Sequence, residues 1–122
     1  MVHAGWVAED ELGSYFACAD VAVYPYADTL VNRAKCSVKL AELLSAGVPV
    51  VADRVGQNLE YIDDGVSGLL PRDGEAAFAE AVVRMLRDGS LRQRLGQAAR
   101  ERMRRDFAWP RLAGIAERAY VG

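Results

Sequence analysis

Histidine and cysteine are nearly absent from this sequence: one histidine, His3, and two cysteines, Cys18 and Cys36, in 122 residues. The cysteines lack CxxC spacing and no second histidine supports them, which excludes a zinc site of the usual kind and a disulfide framework. Each cysteine is expected to serve as a small, partly buried apolar residue. Long apolar runs are also missing. No stretch approaches the roughly 18 residues that cross a bilayer, and the start Met1-Val2-His3-Ala4-Gly5 has neither the basic beginning nor the apolar stretch of a signal peptide. The expected setting is cytoplasmic, with a peripheral place at the membrane left open for a longer enzyme. An excess of charge of one sign is lacking too. Fifteen Lys plus Arg against seventeen Asp plus Glu leave a net charge of -2, which argues against recognition of nucleic acid through bulk charge. What is present is 52% apolar and 26% charged residues, enough to build one domain's core and too little charge for a disordered tail.

Short apolar runs alternate with amphipathic stretches, the pattern of a parallel sheet covered by helices. The runs lie at residues 2–7, 21–26, 48–52 and 68–70. Between the first two, Leu12, Tyr15, Phe16 and Ala19 recur at helical spacing; between the next two, Val38, Ala41 and Leu44 do so. Gly47 followed by Pro49 closes the second helix with a left-handed cap and a residue that cannot continue it. After Leu70 three helical stripes follow. The first runs from Phe78 to Leu86 and is closed by Gly89. The second starts from a capping box of Ser90 and Gln93 and continues through Leu95, Ala98 and Met103. The third opens at Trp109-Pro110 and passes through Leu112, Ile115 and Ala119. Residues 1–106 thus read as a partial Rossmann-like α/β domain and 107–122 as a C-terminal helix of the same domain. Arg100, Arg102, Arg104 and Arg105, interleaved with Glu101 and Asp106, read as a solvated helix face.

The segment from Asn32 to Ala52 carries the chemistry. A loop leaves the carboxyl end of the strand at Tyr24-Pro25-Tyr26 and a helix begins near Ser37, so unpaired backbone amides face the crevice in which open α/β sheets bind ligands. Such a helix start suits a phosphate. Glu42 follows about one and a half turns later, and its carboxylate can accept two hydrogen bonds side by side, as a ribose diol offers. An ordinary ion pair between Glu42 and Lys39, three residues earlier, fits the same spacing equally well. A ligand crevice bounded by Gly5, Tyr24, Ser37 and Glu42 is the expectation. Other residues have plainer readings: His3 as a core or edge histidine on a strand, Trp6 and Trp109 as packing residues, and Asp63-Asp64-Gly65 as a turn rather than a metal site.

Five segments, in order, resemble one family, the GT-B glycosyltransferases of the retaining group 1 type, also called family 4. They are Ala4-Gly5-Trp6-Val7; Ala19-Asp20-Val21 with Tyr24-Pro25; Ser37-Val38-Lys39-Leu40-Ala41-Glu42 with Ala46-Gly47-Val48-Pro49-Val50-Val51-Ala52; the stretch from Glu60 to Gly68; and Phe107-Ala108-Trp109. The resemblance implies the second half of a C-terminal Rossmann-like domain that holds a nucleotide-diphosphate-sugar donor. It implies that Glu42 binds the donor ribose, that the amides of Ser37 and Val38 hold the diphosphate, and that Gly5 and Trp6 lie beside the base. Where the family pattern has a glutamate eight residues before the ribose glutamate, this chain has Ala34; Lys35 and Arg33 are the loop bases that stand near that role.

The resemblance also implies what accompanies the segment. The family's donor domain begins with two further strand-helix units, which in a 3-2-1-4-5-6 sheet would lie between the runs 2–7 and 21–26. Without them the first strand has no neighbour and the second has a bare edge, a template for another chain. The implied partners are therefore the sugar donor, an N-terminal acceptor domain or completing chain, and a second copy pairing through the sheet edge. No cofactor is implied beyond the donor substrate. The implied reaction is glycosyl transfer to an acceptor hydroxyl with retention; a non-catalytic donor-binding or assembly subunit is the alternative.

Overall fold

The computed structural model describes residues 3–122. Its sheet is small and parallel. Strand β1 (Ala22–Tyr24) pairs with β2 (Val50–Ala52), Ala22 opposite Val50 and Tyr24 opposite Ala52. All three residues of β2 are buried, as a parallel strand covered on both faces should be. Alternation divides them: Val50 and Ala52 enter one hydrophobic cluster, Val51 the other.

The expected third member at residues 68–70 shrinks to a single parallel bridge between Val51 and Leu69. Leu69 N–H donates to Val50 O and Ala52 N–H donates to Leu69 O, both at 3.0 Å. Pro71 then has no N–H to extend the ladder, and Gly68 is crowded, a Cβ there lying 2.9 Å from the Ile62 side chain. The order of the three runs, 21–26 beside 48–52 beside 68–70, is the one expected.

Of the run at 2–7, the described residues 3–7 form no strand. Met1 and Val2 lie outside the described residues, and residues 3–8 are irregular, with a bend at Trp6. A strand forms where a neighbour takes its N–H and C=O groups, and β1 bonds only to β2 among the described residues. His3 and Trp6 are consequently exposed rather than packed. Both cysteines are exposed as well, against the expectation of partial burial.

A 3-10 turn (Glu9–Glu11) runs into α1 (Leu12–Ala17) ahead of β1. Between β1 and β2 stand α2 (Leu30–Ala34), capped by the Thr29 hydroxyl that accepts Asn32 N–H at 3.2 Å, and α3 (Val38–Ser45). The end of α3 is as the sequence indicates: Gly47 takes φ 78° and Val48 N–H returns to Leu43 O at 3.1 Å. A short α4 (Asn58–Tyr61) follows β2. Then come α5 (Gly74–Arg87), α6 (Gly89–Asp106) and α7 (Trp109–Val121).

The helix α6 does not start from a Ser90 capping box. Asp88 is the N-cap, its carboxylate accepting Leu91 N–H at 2.9 Å, and Gly89 is the first residue of α6 rather than the stop of α5. The N-terminal half of α6 puts Leu91 and Leu95 with Val51 and Met85; its C-terminal half puts Ala99 and Met103 with Leu40 and Leu44 of α3. One helix thereby ties both clusters together. Arg102 departs from a purely solvated face: its guanidinium donates to Tyr61 O at 3.1 Å and Glu60 O at 3.0 Å, fastening α6 to α4. No residue of α7 is buried, and Trp109 is largely exposed rather than a packing residue.

Candidate functional site

The carboxyl ends of the two strands are joined by one residue. Asp53, directly after β2, donates its N–H to Tyr24 O at 3.3 Å and accepts Tyr26 N–H on Oδ2 at 2.7 Å. This fixes the loop that leaves β1. Tyr24 and Tyr26 stack there with ring centroids 5.1 Å apart. The Tyr24 hydroxyl is pushed above its ordinary pKa by burial first and then by Tyr26, with the nearby Ser37 hydroxyl acting the other way. The start of α3 is thus next to the sheet's carboxyl edge, where the switch-point rule puts a ligand.

Ser37 is the N-cap of α3 and is 3% exposed. Its N–H donates to Gln57 Oε1 at 3.2 Å and its hydroxyl donates to Asn58 Oδ1 at 3.3 Å. Asn58 is fully buried and donates from Nδ2 to Asp53 O at 3.0 Å. The Val38 amide is used locally, donating to Cys36 O at 3.1 Å. Among the described residues the amides of Lys39 and Leu40 find no acceptor. Of the two amides expected to hold a phosphate, one is therefore bonded to a side chain and one to a neighbouring carbonyl.

Lys35 lines a polar pocket of about 370 Å³ with Arg33, Ala34, Cys36, Gly56, Gln57 and Glu60. The Arg33 guanidinium is held by Asp28 through two short bonds, which depress the Asp28 carboxyl below its usual range. Lys35 forms no ion pair among the described residues. Gly56, at φ 53°, makes the pocket wall possible, since a Cβ there would lie 2.9 Å from the backbone of Asn32 and Arg33.

Glu42 and Val38 face a different, largely apolar groove of about 580 Å³ that also involves Tyr61, Phe107 and Trp109. Lys39 Nζ donates to Glu42 Oε2 at 2.9 Å, both side chains about half exposed at 53% and 43%, and the ammonium sits 5.5 Å from the Phe16 ring centroid. The ion pair that the spacing allowed is made. Among the described residues the second carboxylate oxygen of Glu42 has no hydrogen bond. Gly5 has open space around it at φ 72° and Trp6 is fully exposed, so neither packs against the α3 start. Tyr61 is pushed up to about 12 by burial first and by its contact with the Cys36 thiol, 3.8 Å away, second.

Reading the sequence for function singled out Lys35, Ser37, Val38 and Glu42 on this side of the sheet, and the structure brings Lys35 and Ser37 to adjoining positions. It missed Asp53, Gln57 and Asn58. The signal was there: four polar residues, Asp53, Arg54, Gln57 and Asn58, crowd the turn after a fully apolar strand, around Gly56. Asp63, Asp64 and Gly65 form the turn expected of them, Gly65 at φ 80° with its N–H donating to Gly68 O at 2.8 Å.

The sequence profile of the family described as glycosyl transferases group 1 matches residues 1–88. The chain is 35% identical over 119 residues to a glycogen synthase of Mycobacterium tuberculosis, covering 96% of this chain and 27% of that protein. It is 33% identical over 122 residues to a D-inositol 3-phosphate glycosyltransferase of Arthrobacter sp., covering 98% of this chain and 27% of the relative. Among solved structures, a sucrose-phosphate synthase of Thermosynechococcus elongatus superimposes with a TM-score of 0.74 at 29% identity, over 96% of this chain and 28% of that one. The chain spans about 27% of the length of these curated relatives. Among the described residues no helix is long and apolar enough to cross a membrane.

Proposed function

The chain belongs to the group 1 glycosyl transferases, and we propose that it is the donor-binding part of such an enzyme, taking a nucleotide-diphosphate-sugar whose glycosyl group passes to an acceptor hydroxyl with retention. The observation that carries this reading is the start of α3 at the carboxyl edge of a parallel sheet, where among the described residues the Lys39 and Leu40 amides have no acceptor and Lys35, in the adjoining pocket, has no ion-pair partner. Helix-start amides and a lysine together suit a diphosphate, and in transfer chemistry they stabilise the charge that develops as the diphosphate departs. Glu42, one and a half turns on, supplies the acceptor for the ribose hydroxyls; the amides of Ser37 and Val38 extend the diphosphate site at the same helix start. Gly5 and Trp6, exposed here, are the residues proposed to meet the base. The acceptor half is assigned to the remainder of a longer enzyme, and no cofactor beyond the donor is invoked.

Calorimetric titration of UDP, ADP and GDP into the full protein and two variants at position 42 tests the reading. Each charge-assisted bond from the ribose to Glu42 contributes about 1.5 to 3 kcal/mol, so Glu42→Ala should weaken binding at least tenfold. Glu42→Gln keeps one acceptor oxygen and should weaken it less. Three equal affinities would reduce Glu42 to the surface partner of Lys39, with a stability effect of about 0.5 kcal/mol or less.

A further inference from the structure

An N-cap serine ordinarily turns its hydroxyl onto the amides two or three residues ahead. Ser37 does not: its hydroxyl donates to Asn58 and makes no cap bond to α3. The Ser37 amide itself is held by Gln57 Oε1 at 3.2 Å, the long end of the N–H···O range. Gln57 is the N-cap residue of α4, yet its side chain makes no cap bond there and reaches instead to a helix twenty residues away. Its place is fixed on both sides. Gly56 abuts the Asn32–Arg33 backbone, and the buried Asn58 is anchored to Asp53. An oxygen acceptor on a helix-start amide has the position and the bonding chemistry of a phosphate oxygen.

We propose that the Gln57 carboxamide is a built-in competitor for the donor diphosphate, holding the Ser37 amide until a phosphate oxygen takes its place. The inference rests on the donor-binding reading above. A charged oxygen bonds an amide about twice as strongly as a neutral one, so the exchange runs toward the ligand. The displaced side chain has room in the pocket it already lines with Lys35 and Glu60. A nucleoside, which has no phosphate oxygen, leaves the Gln57 bond in place, so the competitor acts on the diphosphate alone.

The test is titration of UDP, ADP and GDP, and of the matching nucleosides, into the full protein and into Gln57→Ala, Gln57→Asn and Gln57→Glu. Removing the competitor in Gln57→Ala should tighten diphosphate binding about two- to tenfold, the worth of one ordinary hydrogen bond, and leave nucleoside binding unchanged. The asparagine, one methylene shorter, should behave like the alanine and serves if the alanine fails to fold. The glutamate places a carboxylate on the amide and should weaken diphosphate binding about tenfold or more, again sparing the nucleoside. Wild-type binding that Gln57→Ala and Gln57→Asn leave unchanged or weaken, or an equal gain for nucleosides, overturns the competitor while the donor reading stands. If neither wild type nor Gln57→Ala binds any nucleoside diphosphate, both readings fall together.

Discussion

Replacing Gly96 by alanine opposes two effects of known sign. Gly96 lies in the interior of α6 and is buried, and by helix propensity alone an alanine there should stabilise by about 1 kcal/mol. The packing says otherwise. A Cβ on Gly96 would collide with the carbonyl oxygen of Gly47, the residue that caps α3 with positive φ. Neither side can yield by a rotamer change, because both are backbone. Overfilling a packed site costs about 1 to 3 kcal/mol, and a backbone-to-backbone clash belongs at the upper end, so Gly96→Ala should be destabilising by about 1 to 2 kcal/mol net. Gly114 in α7 is the control, since a Cβ there meets only the end of the Arg118 side chain at 3.7 Å. Gly114→Ala should gain close to the full propensity term. Urea unfolding of both variants, read as midpoint at constant slope, isolates the clash as the difference between them. A Gly96→Ala as stable as Gly114→Ala would refute the close approach of α6 to the end of α3.

Two further outcomes follow from the caps and the buried phenol. Asp88→Ala should cost about 1 kcal/mol by removing the α6 cap, whereas Ser90→Ala, inside the helix, should stay within about 0.5 kcal/mol; the reverse order in urea unfolding would restore the Ser90 start. Tyr61, pushed up to about 12 from 10.0, keeps its proton longer folded than unfolded. The stability this contributes is fully present below pH 10 and is lost as pH rises toward 12. Ultraviolet titration of wild type against Tyr61→Phe should show one late-ionising tyrosine. In Cys36→Ala most of the shift should persist, because burial is its first cause.

The parts of the fold legible in the sequence are those in which one residue type has one physical job. Gly47 before Pro49 predicts a left-handed helix stop, and the stop is there. The apolar run Val50-Val51-Ala52 predicts a strand buried on both faces, and it is. The order of the three runs is likewise as read. What failed depends on partners that spacing does not display. Residues 2–7 have a strand's composition, but a strand is a pairing and β1 gives the described residues 3–7 none. Ser90 with Gln93 matches a capping box, yet Asp88, two residues earlier, takes the role, because the helix begins where an extended backbone first turns, at φ -109° and ψ 95°. The same competition governs the site. A serine at a helix start signals self-capping, and nothing local in the sequence says that Asn58 will claim its hydroxyl and Gln57 its amide. Those contacts link residues about twenty positions apart, so they arise only once β2 has brought the turn at Gly56 against the end of α2. The first turn of α3 is therefore held from outside the helix rather than by its own N-cap, and that is what leaves the amides of Lys39 and Leu40 without an acceptor among the described residues.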